Sequence, residues 1–129
     1  MAAIEPTAAG AVTVRPLNDH VVEVVYSGRV DANLIQHSMS QLLAIHQRSP
    51  VRWQLIDATN INGIDPSMRR TASEAMQSVK DNGMQVIAVV HVSAARMLGS
   101  ALAFAVGLPL RLVPTRDEAL ALLRAEKAL

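Results

Sequence analysis

Ser67, two residues after Asp65 and directly after Pro66, is where this 129-residue chain has most capacity for chemistry. The run from Trp53 to Ser67 begins as an apolar segment ending in Asp57. A polar turn is expected next, Ala58 to Gly63, and then Ile64-Asp65-Pro66-Ser67 opens a helix. Asp65 suits an N-cap, with Pro66 at the first helical position, where its missing N–H costs nothing. Ser67 then lies in the first turn, where free N–H groups and the helix dipole favour an anion. A hydroxyl there can be read by a partner or phosphorylated without damage to the fold; the plainer reading is an ordinary first-turn polar residue. Thr71, one turn further, continues the polar flank with Glu74 and Ser78.

Asp57 and Asp65 could also be read as paired carboxylates for acid–base work. No base or nucleophile stands in a supporting pattern, so a cap (Asp65) and a turn-ordering residue at a strand end (Asp57) are expected instead. His20, His37, His46 and His91 show no ligand spacing, and no metal site is expected. His46 falls on an apolar stripe and is expected in the core or at its boundary. His91 ends a strand, where open α/β sheets take ligands, but a structural role suits it better. There is no Gly-rich phosphate loop and no G-x-S-x-G elbow, hence no cofactor or enzyme assignment.

A second stretch stands out, Ala94 to Gly107, in which Arg96 and Ser100 are the clearly polar residues. Met97, Ala101, Phe104 and Leu108 make one apolar side of a helix; Leu98, Leu102 and Ala105 make another. The stretch is too short for a bilayer, which takes about 20 residues. Either the helix is sunk between neighbours, or the side bearing Arg96, Leu98, Leu102 and Ala105 is an interface for a partner or a second copy.

The elements that must position these residues follow from periodicity. Ala11 to Arg15 and His20 to Ser27 read as strands of a hairpin, the second ended by Gly28. Asp31 caps a helix to about Gln47, whose inner side carries Leu34, Ile35, Ser38, Met39 and Leu42. Val51 to Asp57 is a strand, Pro66 to Asn82 a helix with Met68, Ala72, Ala75, Met76 and Val79 inward, and Asn82-Gly83 its stop. Gln85 to His91 is continuously apolar after its first residue, the mark of a central strand. Ser93 caps the Ala94–Gly107 helix. Leu110 to Val113 is a last strand, and Thr115-Arg116-Asp117-Glu118 is a capping box opening a last helix with Leu120 and Leu123. The order β-β-α-β-α-β-α-β-α predicts a single α/β domain over residues 11–129 with a mixed sheet, an antiparallel edge and parallel right-handed crossovers. Residues 1–10 are expected to be loose.

Composition narrows the function classes. Half of the chain is hydrophobic but 2% is aromatic, so Val, Leu, Ile, Met and Ala must fill the core. Twelve basic residues face eleven acidic ones, with one Phe, one Tyr and one Trp. That excludes a basic stripe with a base-stacking platform, and no nucleic-acid partner is expected. The absence of cysteine excludes disulfides and thiolate metal sites. With neither a signal-peptide pattern nor an apolar run long enough to span a membrane, a cytoplasmic protein is expected.

This order of elements, with Leu55-Ile56-Asp57 closing a strand and Ile64-Asp65-Pro66-Ser67-Met68 opening a helix, resembles the STAS domain of anti-sigma-factor antagonists and sulphate transporters. The family pattern there is Ile-Asp-Ser-Ser-Gly, and its regulatory phosphoserine aligns with Ser67; Pro66 and Met68 stand where the family has serine and glycine. Ser93 to Leu98 and Leu110 to Leu123 resemble later family elements, so the likeness runs roughly from Val12 to Leu123. The resemblance implies a non-enzymatic protein-interaction domain in bacterial signalling, with an anti-sigma-type kinase or other signalling protein as partner and a possible homodimer. The chain is also similar to a looser STAS-related group likened to CRAL-TRIO lipid-binding proteins. That likeness implies the alternative, a small-molecule or lipid-binding domain with an apolar pocket of roughly 300 Å³ or more.

Overall fold

The computed structural model describes residues 10–129; the expectation of a loose segment before them lies outside the described residues. Gly10 itself is held closely. A Cβ there would overlap the carbonyl oxygens of Ser27 and Arg29, so only glycine permits this approach.

Nine elements follow in the expected order: β1 (Ala11–Pro16), β2 (Val21–Val30), α1 (Ala32–Arg48), β3 (Trp53–Ile64), α2 (Met68–Asp81), β4 (Gln85–Val90), α3 (Ser93–Val106), β5 (Leu110–Val113) and α4 (Arg116–Ala125). They build one five-stranded sheet in the order β1-β2-β3-β4-β5. β1 pairs antiparallel with β2, and every later pair is parallel. β4 is interior, buried from Val86 to Val89, as its unbroken apolar run requires.

The strand order steps one way across the sheet. Crossovers of one hand that always step the same way must put their helices on one face. Accordingly, α1, α2 and α3 share a core with Val22, Val24, Tyr26, Ala58 and Val86. The other face carries Val21, Trp53, Leu55, Ile87 and Val89, closed by Ala119 and Leu123 of α4. Fully burying one such Leu or Ile side chain contributes about 2 kcal/mol.

Two boundaries differ from expectation, for one reason. Gly28 does not end β2, and Ala58–Gly63 is not a turn. Both strands run on, paired as far as Val30 and Ile64. Between Val25↔Asp57 and Ser27↔Asn60, and again between Gly28↔Ile61 and Arg29↔Gly63, β3 has one residue more than β2. Two β-bulges thus let Thr59, Asn60 and Asn62 sit in a strand while Ala58 and Ile61 still reach the core. Gly28, at φ 72°, gives β2 the backbone freedom to follow.

Candidate functional site

Every helix begins at the carboxyl end of the parallel strands, so Asp31, Ser67, Ser93 and Thr115 all lie toward that end of the sheet. Asp31 Oδ1 accepts from Leu34 N–H at 2.9 Å, and Thr115 Oγ1 from Glu118 N–H at 3.1 Å, so both expected caps are present. Ser93 is different: it is the first residue of α3 and makes no capping bond, and Val92 holds the cap position.

Asp65 is not the N-cap of a helix that starts at Pro66. Pro66 and Ser67 form a turn before α2, and Met68 N–H donates to the Asp65 carbonyl at 2.9 Å. The Asp65 carboxylate instead folds the turn, accepting from Ser67 N–H at 2.9 Å and from Ser67 Oγ at 2.7 Å. Asp65 Oδ2 lies 3.5 Å from an Arg29 guanidinium nitrogen. The Ser67 N–H first, then its hydroxyl and Arg29, hold the Asp65 carboxyl below its ordinary range. Ser67 is exposed, and its hydroxyl already donates to a carboxylate. Thr71 is half-buried one turn along, on a groove between α1 and α2 that Met39, Leu43 and Ala75 also line.

Asp57 does not join this group. It sits in the row Thr13–Val25–Asp57–Val89–Val113, on the face that α4 covers. There its Oδ1 accepts from Thr59 N–H at 3.0 Å and Thr59 Oγ1 at 2.6 Å, fixing the first bulge. The alternative of Asp57 and Asp65 as paired carboxylates finds no support, since each carboxylate is engaged within its own segment.

Helix α3 does present apolar surface, but through Met97 and Phe104 rather than the expected Leu98 and Leu102. Leu102 is buried, and Leu98 is half-buried against the α1–α3 core. Met97 is 74% exposed and Phe104 90%. Arg96, Ala101 and Ala105 are exposed beside them. The orientation is set at the helix end. Gly107, at φ 76°, closes a Schellman turn in which Leu108 N–H donates to Ala103 O and Gly107 N–H to Phe104 O. Such a turn packs Leu108 on Ala103, both buried, and so points Phe104 outward.

No protein-family model and no curated protein matches the sequence. The backbone, however, superposes on solved structures along nearly its whole length. The anti-sigma factor antagonist SpoIIAA, in its unphosphorylated form, matches with a TM-score of 0.68 at 13% identity, over 88% of this chain and 98% of that one. This chain has the SpoIIAA fold. An anti-sigma factor antagonist from Mycobacterium paratuberculosis matches at 0.62 with 21% identity, over 93% and 97% of the two chains. An uncharacterised SpoIIAA-like protein from Shewanella loihica matches at 0.63 with 13% identity, over 88% and 93%.

On this SpoIIAA fold two polar residues stand out that the sequence did not flag. Glu23, within Val-Val-Glu-Val-Val, is 1% exposed between two arginines. Arg15, its cross-strand partner, donates to Oε1 at 2.9 and 3.1 Å, and Arg116 of α4 donates to Oε2 at 2.7 Å. Gln54 is 4% exposed in the row Val22–Gln54–Val86–Leu110, facing α1–α3. It lines a cavity of about 160 Å³ between the sheet and those helices. That volume is below the roughly 300 Å³ of a drug-sized pocket.

Three of the histidines serve the scaffold. His46 Nδ1 accepts from Val51 N–H at 2.9 Å, His20 Nδ1 lies 3.1 Å from Pro50 O, and His91 Nε2 donates to Pro114 O at 2.6 Å. Among the described residues no three His, Asp or Glu side chains converge as metal ligands, and no helix is long and apolar enough to cross a membrane.

Proposed function

We propose that this chain is a non-enzymatic, STAS-like regulatory domain that acts by binding a protein partner in bacterial cytoplasmic signalling, in the manner of an anti-sigma factor antagonist. One observation carries the reading. The backbone covers 98% and 97% of two anti-sigma factor antagonists in one continuous path. The partner is an anti-sigma-type kinase or another signalling protein, and a homodimer would use the same surface.

Two features support a contact surface on α2 and α3. Ser67 presents an exposed hydroxyl at the start of α2, oriented by Asp65. Met97, Ala101 and Phe104 give α3, which packs beside α2, an outward apolar strip with Arg96 on its flank. Thr71 continues the polar side of α2. The deciding experiment is co-migration with the anti-sigma-type kinases of the source organism by size-exclusion chromatography, with and without ATP. We expect a stoichiometric complex with one of them that Phe104→Glu weakens. No complex with any, with or without nucleotide, would overturn the reading.

A further inference from the structure

Gln54 poses a packing problem. Its row neighbours are Val22, Val86 and Leu110, and its surroundings on the α1–α3 side are apolar apart from the Tyr26 and Ser38 hydroxyls, which bond each other at 2.6 Å. A carboxamide has two donors and an acceptor, and burying it without partners costs about 1–3 kcal/mol. Among the described residues no side-chain hydrogen bond is formed by Gln54, yet it has no polar atom sealed off from space. Both facts hold because the amide faces the cavity. The cavity exists because small residues meet where two helices cross the sheet: Ala72 on α2, Ala88 on β4, Ala95 and Gly99 on α3. Its wall reaches the surface between α2 and α3, where Met76, Ala95 and Gly99 are partly exposed.

We propose that this cavity is a binding site for a small neutral molecule of about one six-membered ring, bearing a single hydroxyl or carbonyl group that Gln54 recognises. Size sets the ring: an apolar cavity of about 150 Å³ is known to accept benzene. Neutrality follows from the lining, which offers no charged side chain to replace the hydration of an ion. Gln54 supplies the polar selectivity, since a ligand group that completes its hydrogen bonds gains where a pure hydrocarbon does not. Water is the competing occupant. A buried water needs two to four polar partners. Besides Gln54, the side chains lining the cavity offer only the Tyr26 and Ser38 hydroxyls, which already bond each other at 2.6 Å, while Ser38 also donates to Ile35 O within its own turn. The site is independent of the protein-binding surface proposed above and survives the failure of that reading.

The test uses the intact chain with phenol and benzene at millimolar concentration, followed by the Gln54 side-chain NH₂ resonances and by thermal melts. Phenol is expected to shift those resonances and raise Tm, as any ligand of the native state must. Gln54→Leu should bind phenol about tenfold more weakly while still binding benzene. Ala88→Leu should fill the space and abolish both; should it not fold, Ala72→Leu fills the same cavity from the helix side. Absence of any effect on wild type overturns the proposal. So does phenol affinity unchanged in both variants, or a Gln54 amide that shows contacts to water alone at saturating phenol.

Discussion

Arg116 Nε on α4 donates to Glu23 Oε2 on β2 over 2.7 Å, a bond that joins residues 93 apart in sequence. Arg15 approaches the same carboxylate from β1 at 2.9 Å. The carboxylate is shielded, but the Arg15 and Arg116 side chains remain 63% and 38% exposed, so the two cations keep part of their hydration. Glu23→Gln should destabilise the domain by about 2 kcal/mol, less than for a fully buried pair because the arginines stay wet. Arg116→Met should cost less, since Arg15 still neutralises Glu23. Urea unfolding of the two variants checks the order, and equal losses would contradict it.

The same group gives acid sensitivity. Burial pushes the Glu23 carboxyl up, but hydrogen bonds and charge from Arg116 and Arg15 outweigh it, leaving it below its ordinary value of 4.5. The unfolded chain therefore takes up this proton first as pH falls. Stability from Glu23 is complete above about pH 4.5 and is lost as pH drops through the folded value. Tm measured from pH 7 to 3 should fall in that lower range, and Glu23→Gln should flatten the fall.

The two sides of α3 should respond oppositely to charge. Phe104→Glu, at an exposed position, should change stability by no more than about 0.5 kcal/mol and should weaken association with a partner or a second copy. Leu102→Glu should cost about 3 kcal/mol or more, because its carboxylate would enter the α1–α3 core unpaired. Sedimentation beside a thermal melt separates the outcomes.

Phosphate or its mimic at Ser67 should act on binding rather than on folding. It would remove the hydroxyl donor from Asp65 and place about two negative charges beside that carboxylate. Arg29, 3.5 Å from Asp65, and the first-turn N–H groups offset the repulsion. Ser67→Asp should melt within a few degrees of wild type and bind the partner more weakly than Ser67→Ala. Equal affinities for wild type and both variants would remove Ser67 from the contact.

Much of this arrangement was legible in residue order. The unbroken apolar run after Gln85 marked an interior strand, and Asp31 and Thr115 marked helix starts, because short-range hydrogen bonding fixes caps. The asparagines after Asp57 misled, since bulges admit turn-like residues into a strand. The outward side of α3 was hidden because two apolar sides fit one helix equally until the Gly107 turn selects between them. Glu23 and Gln54 were silent for a related reason. A polar residue in an apolar strand resembles a solvent-facing one until Arg116 or an interior cavity, both set by tertiary packing, is found beside it.

Because α1, α2 and α3 all lie on one face, the opposite face waits for α4, which follows every strand it covers. On a ribosome the five strands are therefore synthesised before their second covering layer. Until then Trp53, Leu55, Ile87 and Val89 stay open, a chaperone-accessible surface on a nearly finished sheet. Trp53, the single tryptophan, belongs to that cluster. Its fluorescence can therefore time the arrival of the helix.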